Sequence, residues 1–337
     1  MRSPLRSVRS TRTTAINLIT LPTRSAGRSP RPEPEARRRS RRAGRWFHRH
    51  GFFIALLLPV VLYLLATQLY PLVATAREAL NENVLTRSNE AEFVGLDNFF
   101  QLFTQDPYFW RIVGNSLLWV LGATALQLIA GTVAALILNQ AIVARGFWRG
   151  LLMTPWVTPV VVAAIAWRWI FDGEYGLLNK SLELFGLPSV AWLGNEATVW
   201  PALLLAATWK GMPYVAILVL AGLQGIPRDI LEAAAVDGAS GWRRFFYVTL
   251  PMLRPVLYIT GLIAILSSWF KFEMIWALTR GGPGYATSIL PTYVYALSFE
   301  RFDFGMGATV AVTAMLLVVI VIAVYARIFG AKDGKSR

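Results

Sequence analysis

The chain has 337 residues, of which 55% are hydrophobic and only 15% charged. That balance excludes an ordinary soluble domain and points to a multi-span membrane protein. The formal net charge of +14 does not indicate nucleic-acid binding, because fourteen arginines fall within the first 49 positions. There are no cysteines, so disulfides, thiolate nucleophiles and thiolate metal sites are ruled out. The only two histidines, His48 and His50, sit in the basic N-terminal region, which excludes histidine chemistry in the core.

Residues 1–45 are rich in Arg, Ser, Thr and Pro and poor in aromatics. The composition predicts a disordered basic cytoplasmic tail that orients the first span and touches anionic lipid. Residues 46–330 form the predicted transmembrane domain, and residues 331–337 a second short tail. The first span is predicted over Phe52–Val73, long enough for a hydrocarbon core of ~30 Å. A polar, acidic stretch follows, then a second span over Leu117–Leu138. A short loop holding Arg145 and Arg149 leads to a third span, Leu151–Phe171, interrupted by Pro155 and Pro159. A fourth span is expected over Thr198–Leu220, broken near Gly211-Met212-Pro213. The fifth is placed at Val256–Leu278, and a Gly-rich loop over Thr279–Gly305 precedes the sixth, Met306–Ile328.

Between the fourth and fifth spans lies a polar segment, Ile226–Pro255. Pro227 suits a first helical turn. Leu231–Val236 favours helix, and Gly238 is placed to end it. Ser240 is positioned to cap a second short helix, which Leu250-Pro251 is expected to stop. A helix-turn-helix hairpin with small residues Ala233, Ala234 and Ala235 results, suited to close docking of a partner. With both termini inside, the inside segments hold 23 Lys and Arg and the outside loops six, while 12 of the acids fall outside and six inside. The positive-inside rule therefore places the hairpin in the cytoplasm.

Glu232-Ala233-Ala234, followed by Asp237-Gly238-Ala239 and Leu250-Pro251, resembles the EAA loop of permease subunits of ABC importers. In that family the loop is the cytoplasmic coupling helix that enters a cleft of the ATPase. Phe93-Val94-Gly95-Leu96-Asp97-Asn98-Phe99 with Asn115-Ser116-Leu117 is similar to the start of the core of MalF-type carbohydrate permeases. So are Pro155-Trp156-Val157, Trp167-Arg168-Trp169-Ile170-Phe171, and Leu278-Thr279-Arg280-Gly281-Gly282-Pro283 with Ala286-Thr287 and Tyr293. The resemblance spans roughly residues 50–330. It implies an all-α membrane protein with six transmembrane helices, N-in and C-in, of the type I importer fold. It also implies a second homologous permease subunit, an ABC ATPase dimer that binds ATP and Mg, and an extracytoplasmic sugar-binding protein. The Arg-rich tail lies outside the family pattern.

Ionisable residues within spans are expensive in lipid and usually face a cavity or a partner. Arg168, Lys210, Lys271 and Glu273 are such residues. Lys271 and Glu273 are two apart, so within one helix they cannot share a face. Glu273 is suited to accept from sugar hydroxyls, and Trp209, Trp269, Phe270 and Trp276 to stack on sugar C–H faces. The bland reading of the aromatics is core or interfacial packing, and of the charges internal pairing. In the hairpin Glu232 is the expected polar anchor and Gly238 the turn. Neither Arg280-Gly281-Gly282-Pro283-Gly284 nor Gly334-Lys335-Ser336 forms a phosphate loop, so ATP hydrolysis is expected on a separate subunit and not on this chain. The function expected is the permease subunit of a sugar importer in a bacterial or archaeal plasma membrane, for a disaccharide such as trehalose or maltose. A permease for glycerol 3-phosphate, polyamine or peptide is one alternative. An ion-coupled secondary transporter is another, although it calls for paired intramembrane acids and an internal repeat.

Overall fold

The computed structural model describes residues 53, 55–87 and 91–330. Both predicted tails lie outside the described residues. The first helix, α1, runs Ala55–Glu78, with a π-helical turn at Leu65–Leu69. Residues 66–330 form one contact unit; the part of α1 before residue 66 belongs to a separate N-terminal unit and is an uncharged, apolar helix.

After α1 a two-residue antiparallel ladder pairs β1 (Asn81–Glu82) with β2 (Glu92–Phe93). Then come α2 (Asp97–Thr104) and α3 (Phe109–Asn139). The third span is a pair, α4 (Arg145–Val157) and α5 (Val160–Ile170), bent by 95°. The bend has a local cause: Pro159 disfavours a helical residue before it, and Thr158 is extended with ψ 130°. A short α6 (Leu177–Leu184) precedes the long α7 (Glu196–Gln224), whose first turn Asn195 caps by accepting from Ala197 N–H. α8 (Arg228–Val236) and α9 (Gly241–Trp269) follow. α10 (Phe272–Thr279), α11 (Leu290–Tyr295, continued by a π-turn at Ala296–Glu300) and α12 (Phe304–Phe329) complete the described chain. Among the described residues five helices are each long and apolar enough to cross a membrane, or six if the bent pair α4–α5 is one span.

Lipid is as apolar as leucine, so helices in it associate through close packing of small residues and not through hydrophobic gain. α3 and α7 do this. A Cβ on Gly131 would lie 2.6 Å from Val215 Cγ1, and one on Gly211 would lie 2.3 Å from Gln127 Cδ. Gln127 in turn donates to the Ala207 carbonyl at 3.1 Å. Around that seam a buried cluster joins Phe109, Ile112, Trp119 and Val120 of α3 to Ala202, Leu203 and Ala206 of α7 and to Ile265 of α9. A second cluster, with Ala135, Leu138, Val219, Leu223, Ile226 and Leu253, closes the hairpin end.

Several expected breaks are corrected. The fourth span is not broken at Gly211-Met212-Pro213: α7 continues through it, with α3 packed against Gly211. Leu250-Pro251 does not stop the hairpin's second helix, which is the start of the fifth span. Just before the proline, Leu250 N–H bonds Phe245 C=O, an i→i+5 bond that opens the coil and makes room for the proline ring. The fifth span is itself interrupted, at Phe270 and Lys271, where the φ/ψ of Lys271 is −79°/79°. The third span begins earlier than expected, at Arg145, and the Gly-rich loop after Thr279 contains α11.

Candidate functional site

α8 is held away from the bundle, with none of its residues buried. It rests on the half-buried Leu231, which packs against the cluster at Ile226 and Leu253. Pro227 is the residue that precedes the first turn. The far end closes with a complete Schellman arrangement: Ala239 N–H bonds Ala234 C=O at 3.0 Å, and Gly238 N–H bonds Ala235 C=O at 3.1 Å. Gly238 sits at φ +77°, where a side chain would be strained. Ser240 occupies the cap position of α9, but its side chain makes no capping bond.

Glu232, Ala233 and Asp237 are exposed, and Ala234 is half-buried. Glu232 has no hydrogen bond or ion pair among the described residues. The same hairpin carries exposed apolar side chains that sequence reasoning missed. Val236 is 88% exposed and Trp242 77%, and Trp242 stacks on Phe246 with centroids 6.0 Å apart. Their signal was legible: two aromatics four apart on a short basic helix, one of them tryptophan.

The other expected residues gather where the broken third and fifth spans meet, since α5 packs on α10. Lys210, on α7, donates from Nζ to the carbonyls of Pro155 (2.9 Å), Trp156 (2.9 Å) and Thr158 (2.5 Å). Trp209 beside it packs edge-on against Trp167 at 5.7 Å, and Trp167 stacks on Phe171. Lys271 is half-buried at the break between α9 and α10, outside either helix, and lies within electrostatic reach of both Lys210 and Glu273. Glu273 is exposed in the first turn of α10, where the helix dipole favours a carboxylate. Trp276 lies in an aromatic group with Phe272 and Tyr295, at 5.3 and 4.6 Å. Arg168 is exposed on α5. Trp269 is buried and Phe270 exposed.

Away from the hairpin, the loop after α10 is pinned to the bundle. Asn115 Nδ2 donates to the carbonyls of Tyr285 and Ser288, and Trp200 Nε1 to that of Ala286. Arg301 donates to Tyr285 Oη, and the rings of Tyr108 and Tyr285 lie 4.5 Å apart. Asp303 caps α12 by accepting from Met306 N–H, and burial pushes its carboxyl above the usual range.

Residues 127–331 match the family of binding-protein-dependent transport system inner membrane components. The trehalose/maltose transport system permease protein MalF of Thermococcus litoralis is 33% identical over 276 residues, which cover 81% of this chain and 92% of the relative. The sulfoquinovosyl glycerol transport system permease protein SmoG of Agrobacterium fabrum is 33% identical over 280 residues, covering 83% of this chain and 91% of the relative. A chain from the crystal structure of a bacterial alginate ABC transporter, in complex with an alginate pentasaccharide-bound periplasmic protein, superposes with a TM-score of 0.71. That match, at 21% identity, covers 84% of this chain and 95% of the other, and it shows the fold. A family match over more than half the sequence, and relatives a third identical across four fifths of it, mean that this chain belongs to the binding-protein-dependent transport system inner membrane components, the permease subunits of ABC importers.

Proposed function

We propose that this chain supplies half of the translocation pathway of an ATP-driven sugar importer and takes its drive through the α8–α9 knob. A second homologous permease supplies the other half. A dimer of ABC ATPases binds ATP and Mg, and an extracytoplasmic binding protein delivers the sugar. The substrate is a saccharide of disaccharide size, of the trehalose or maltose kind. The assembly sits in a bacterial or archaeal plasma membrane, with the knob inside.

The knob is the observation that supports this reading most. A short helix with no buried residue carries an unpaired Glu232 and exposed Val236, and the next helix of the same hairpin carries exposed Trp242. An apolar patch with one unmatched charge is the composition of a docking face. Only Gly225–Pro227 separates it from α7, so a push on the knob is delivered to a helix that runs the depth of the membrane. ATP-driven closure of the ATPases then rocks the spans between two states. Glu273, Lys271 and Trp276, at the meeting of the broken spans, are the residues of this chain proposed to contact the sugar, with Trp209 beside them.

Glu232→Lys tests the drive. Reconstituted with its partners, the variant should lose ATP-driven sugar uptake by about tenfold or more while its thermal unfolding stays unchanged, an effect on the scale of a typical coupling free energy. Uptake at the parent rate in that variant, or uptake in vesicles driven by an ion gradient with no ATP, would overturn the proposal.

A further inference from the structure

The bend in the third span creates a problem that the chain solves in an unexpected way. Where α4 ends, its last carbonyls have no helical N–H to accept from. Pro159 offers no N–H, and within a hydrocarbon core freed backbone groups must find partners inside the protein. Each such carbonyl left alone in an apolar setting costs roughly 2–7 kcal/mol. The carbonyls of Pro155, Trp156 and Thr158 instead converge on one point, occupied by Nζ of Lys210. An ammonium has three donors, and all three are engaged. No donor remains on Lys210 for a substrate.

Lys210 does not belong to the bent span. It projects from the middle of α7, fourteen residues before Gln224, which is about 21 Å along a helix. α7 is unbroken over that distance and is braced on α3 at Gly211 and Gly131. The end of α7 leads through three residues into α8. On the other side, α5 packs against α10, whose first turn carries Glu273 and whose start is Lys271.

We propose that Lys210 is a positioning residue for transport: it clamps the break of the third span to α7, so that the angle between α4 and α5 follows the helix that ends in the knob. The inference rests on the coupling role proposed above. Its physical content is that a tethered cation, held by three dipoles, is a tight yet reversible joint. It transmits displacement along α7 without a covalent link between the two spans. Lysine suits the joint better than arginine, because three carbonyls around one point match a compact ammonium and not a planar fork.

The chain has no cysteine, so spin labels can be placed without removing any native residue. Phe147 on α4 and Ile165 on α5 are 65% and 51% exposed and report the bend. The assembled transporter in lipid nanodiscs, labelled at Phe147→Cys and Ile165→Cys, should give one narrow distance without nucleotide. Lys210→Met should at least double the width of that distribution, with Lys210→Arg between the two. Trapping with ATP and vanadate should move the distance when Lys210 is present and leave it unmoved in Lys210→Met. In the same preparations Lys210→Met should lose about tenfold in sugar uptake while ATP hydrolysis continues, the scale expected of a broken coupling. An equally narrow distribution, or uptake within twofold of the parent, would overturn the clamp. If Lys210→Met does not assemble, Lys210→Arg carries the test, since a planar fork should still widen the distribution and lower uptake, and parent values in it would overturn the clamp equally. The width without nucleotide speaks to the clamp alone, whereas normal transport by Glu232→Lys would sink the coupling reading instead.

Discussion

Tyr293 is wholly buried, yet its phenol donates to Asp106 Oδ2 at 2.5 Å. Asp106 also accepts from the N–H groups of Tyr108 and Phe109 at the start of α3. One carboxylate therefore ties the α2–α3 connection to α11. Burial first, and then the bond to Asp106, hold the phenol above its usual value of 10.0. The folded chain keeps this proton where the unfolded chain releases it, so the associated stability is complete below pH 10 and is lost as pH rises beyond it. A hydrogen bond to a charged group is worth about 1.5–3 kcal/mol, so Tyr293→Phe should lower stability by that order. It should also remove part of the decline in melting temperature at alkaline pH. Thermal unfolding of parent and variant, from neutral pH to above pH 10, checks both effects; coincident curves would show that the bond contributes nothing. At this scale the sequence was informative only where chemistry and position coincide. Gly238 reads as a turn because its neighbours are helical. The acceptors of Lys210 lie 52 to 55 positions earlier in the chain, so no local pattern could reveal them.

Helix breaks were the least legible elements, and the reason is packing. Pro159 sits at the break that bends its span, whereas Pro213 and Pro251 lie within unbroken helices. A proline removes one N–H in every case, so the difference lies in what surrounds it. Pro213 lies beside the close α3–α7 seam, Pro251 follows a π-turn that makes room for its ring, and the carbonyls stranded at Pro159 are collected by Lys210. The seam itself can be tested at Gly131, where a Cβ would meet Val215 Cγ1 at 2.6 Å and the Ala216 backbone nitrogen at 3.0 Å. Backbone cannot yield as a side chain can, so Gly131→Ala should destabilise by about 1–3 kcal/mol through overpacking. Gly146 on α4 provides the contrast, because nothing lies within 4 Å of its Cβ position. Gly146→Ala should be neutral or stabilising by roughly 0.5–1 kcal/mol, since alanine is the better helix former. Melting temperatures of the two variants in the same detergent decide the matter. Equal shifts would mean that the seam is not the brace described here.

The scale of the whole molecule is where composition was most informative. Span number follows from apolar length, and orientation from the surplus of basic residues on one side, neither of which needs side-chain contacts. The coupling role requires that orientation, because ATP is inside the cell. The two sides can be told apart at two exposed serines, Ser240 at the turn of the knob and Ser189 between α6 and α7. Replacing either by cysteine is nearly isosteric and creates the sole thiol in the chain. With a membrane-impermeant maleimide on intact cells, Ser189→Cys should label at once and Ser240→Cys only after permeabilisation. Adding purified ATPase to opened membranes should then slow labelling of Ser240→Cys and leave Ser189→Cys unaffected. Labelling of Ser240→Cys from outside would place the knob beyond the reach of any cytoplasmic motor. The bent third span and its lysine would then have to serve some purpose other than transmitting ATP-driven motion.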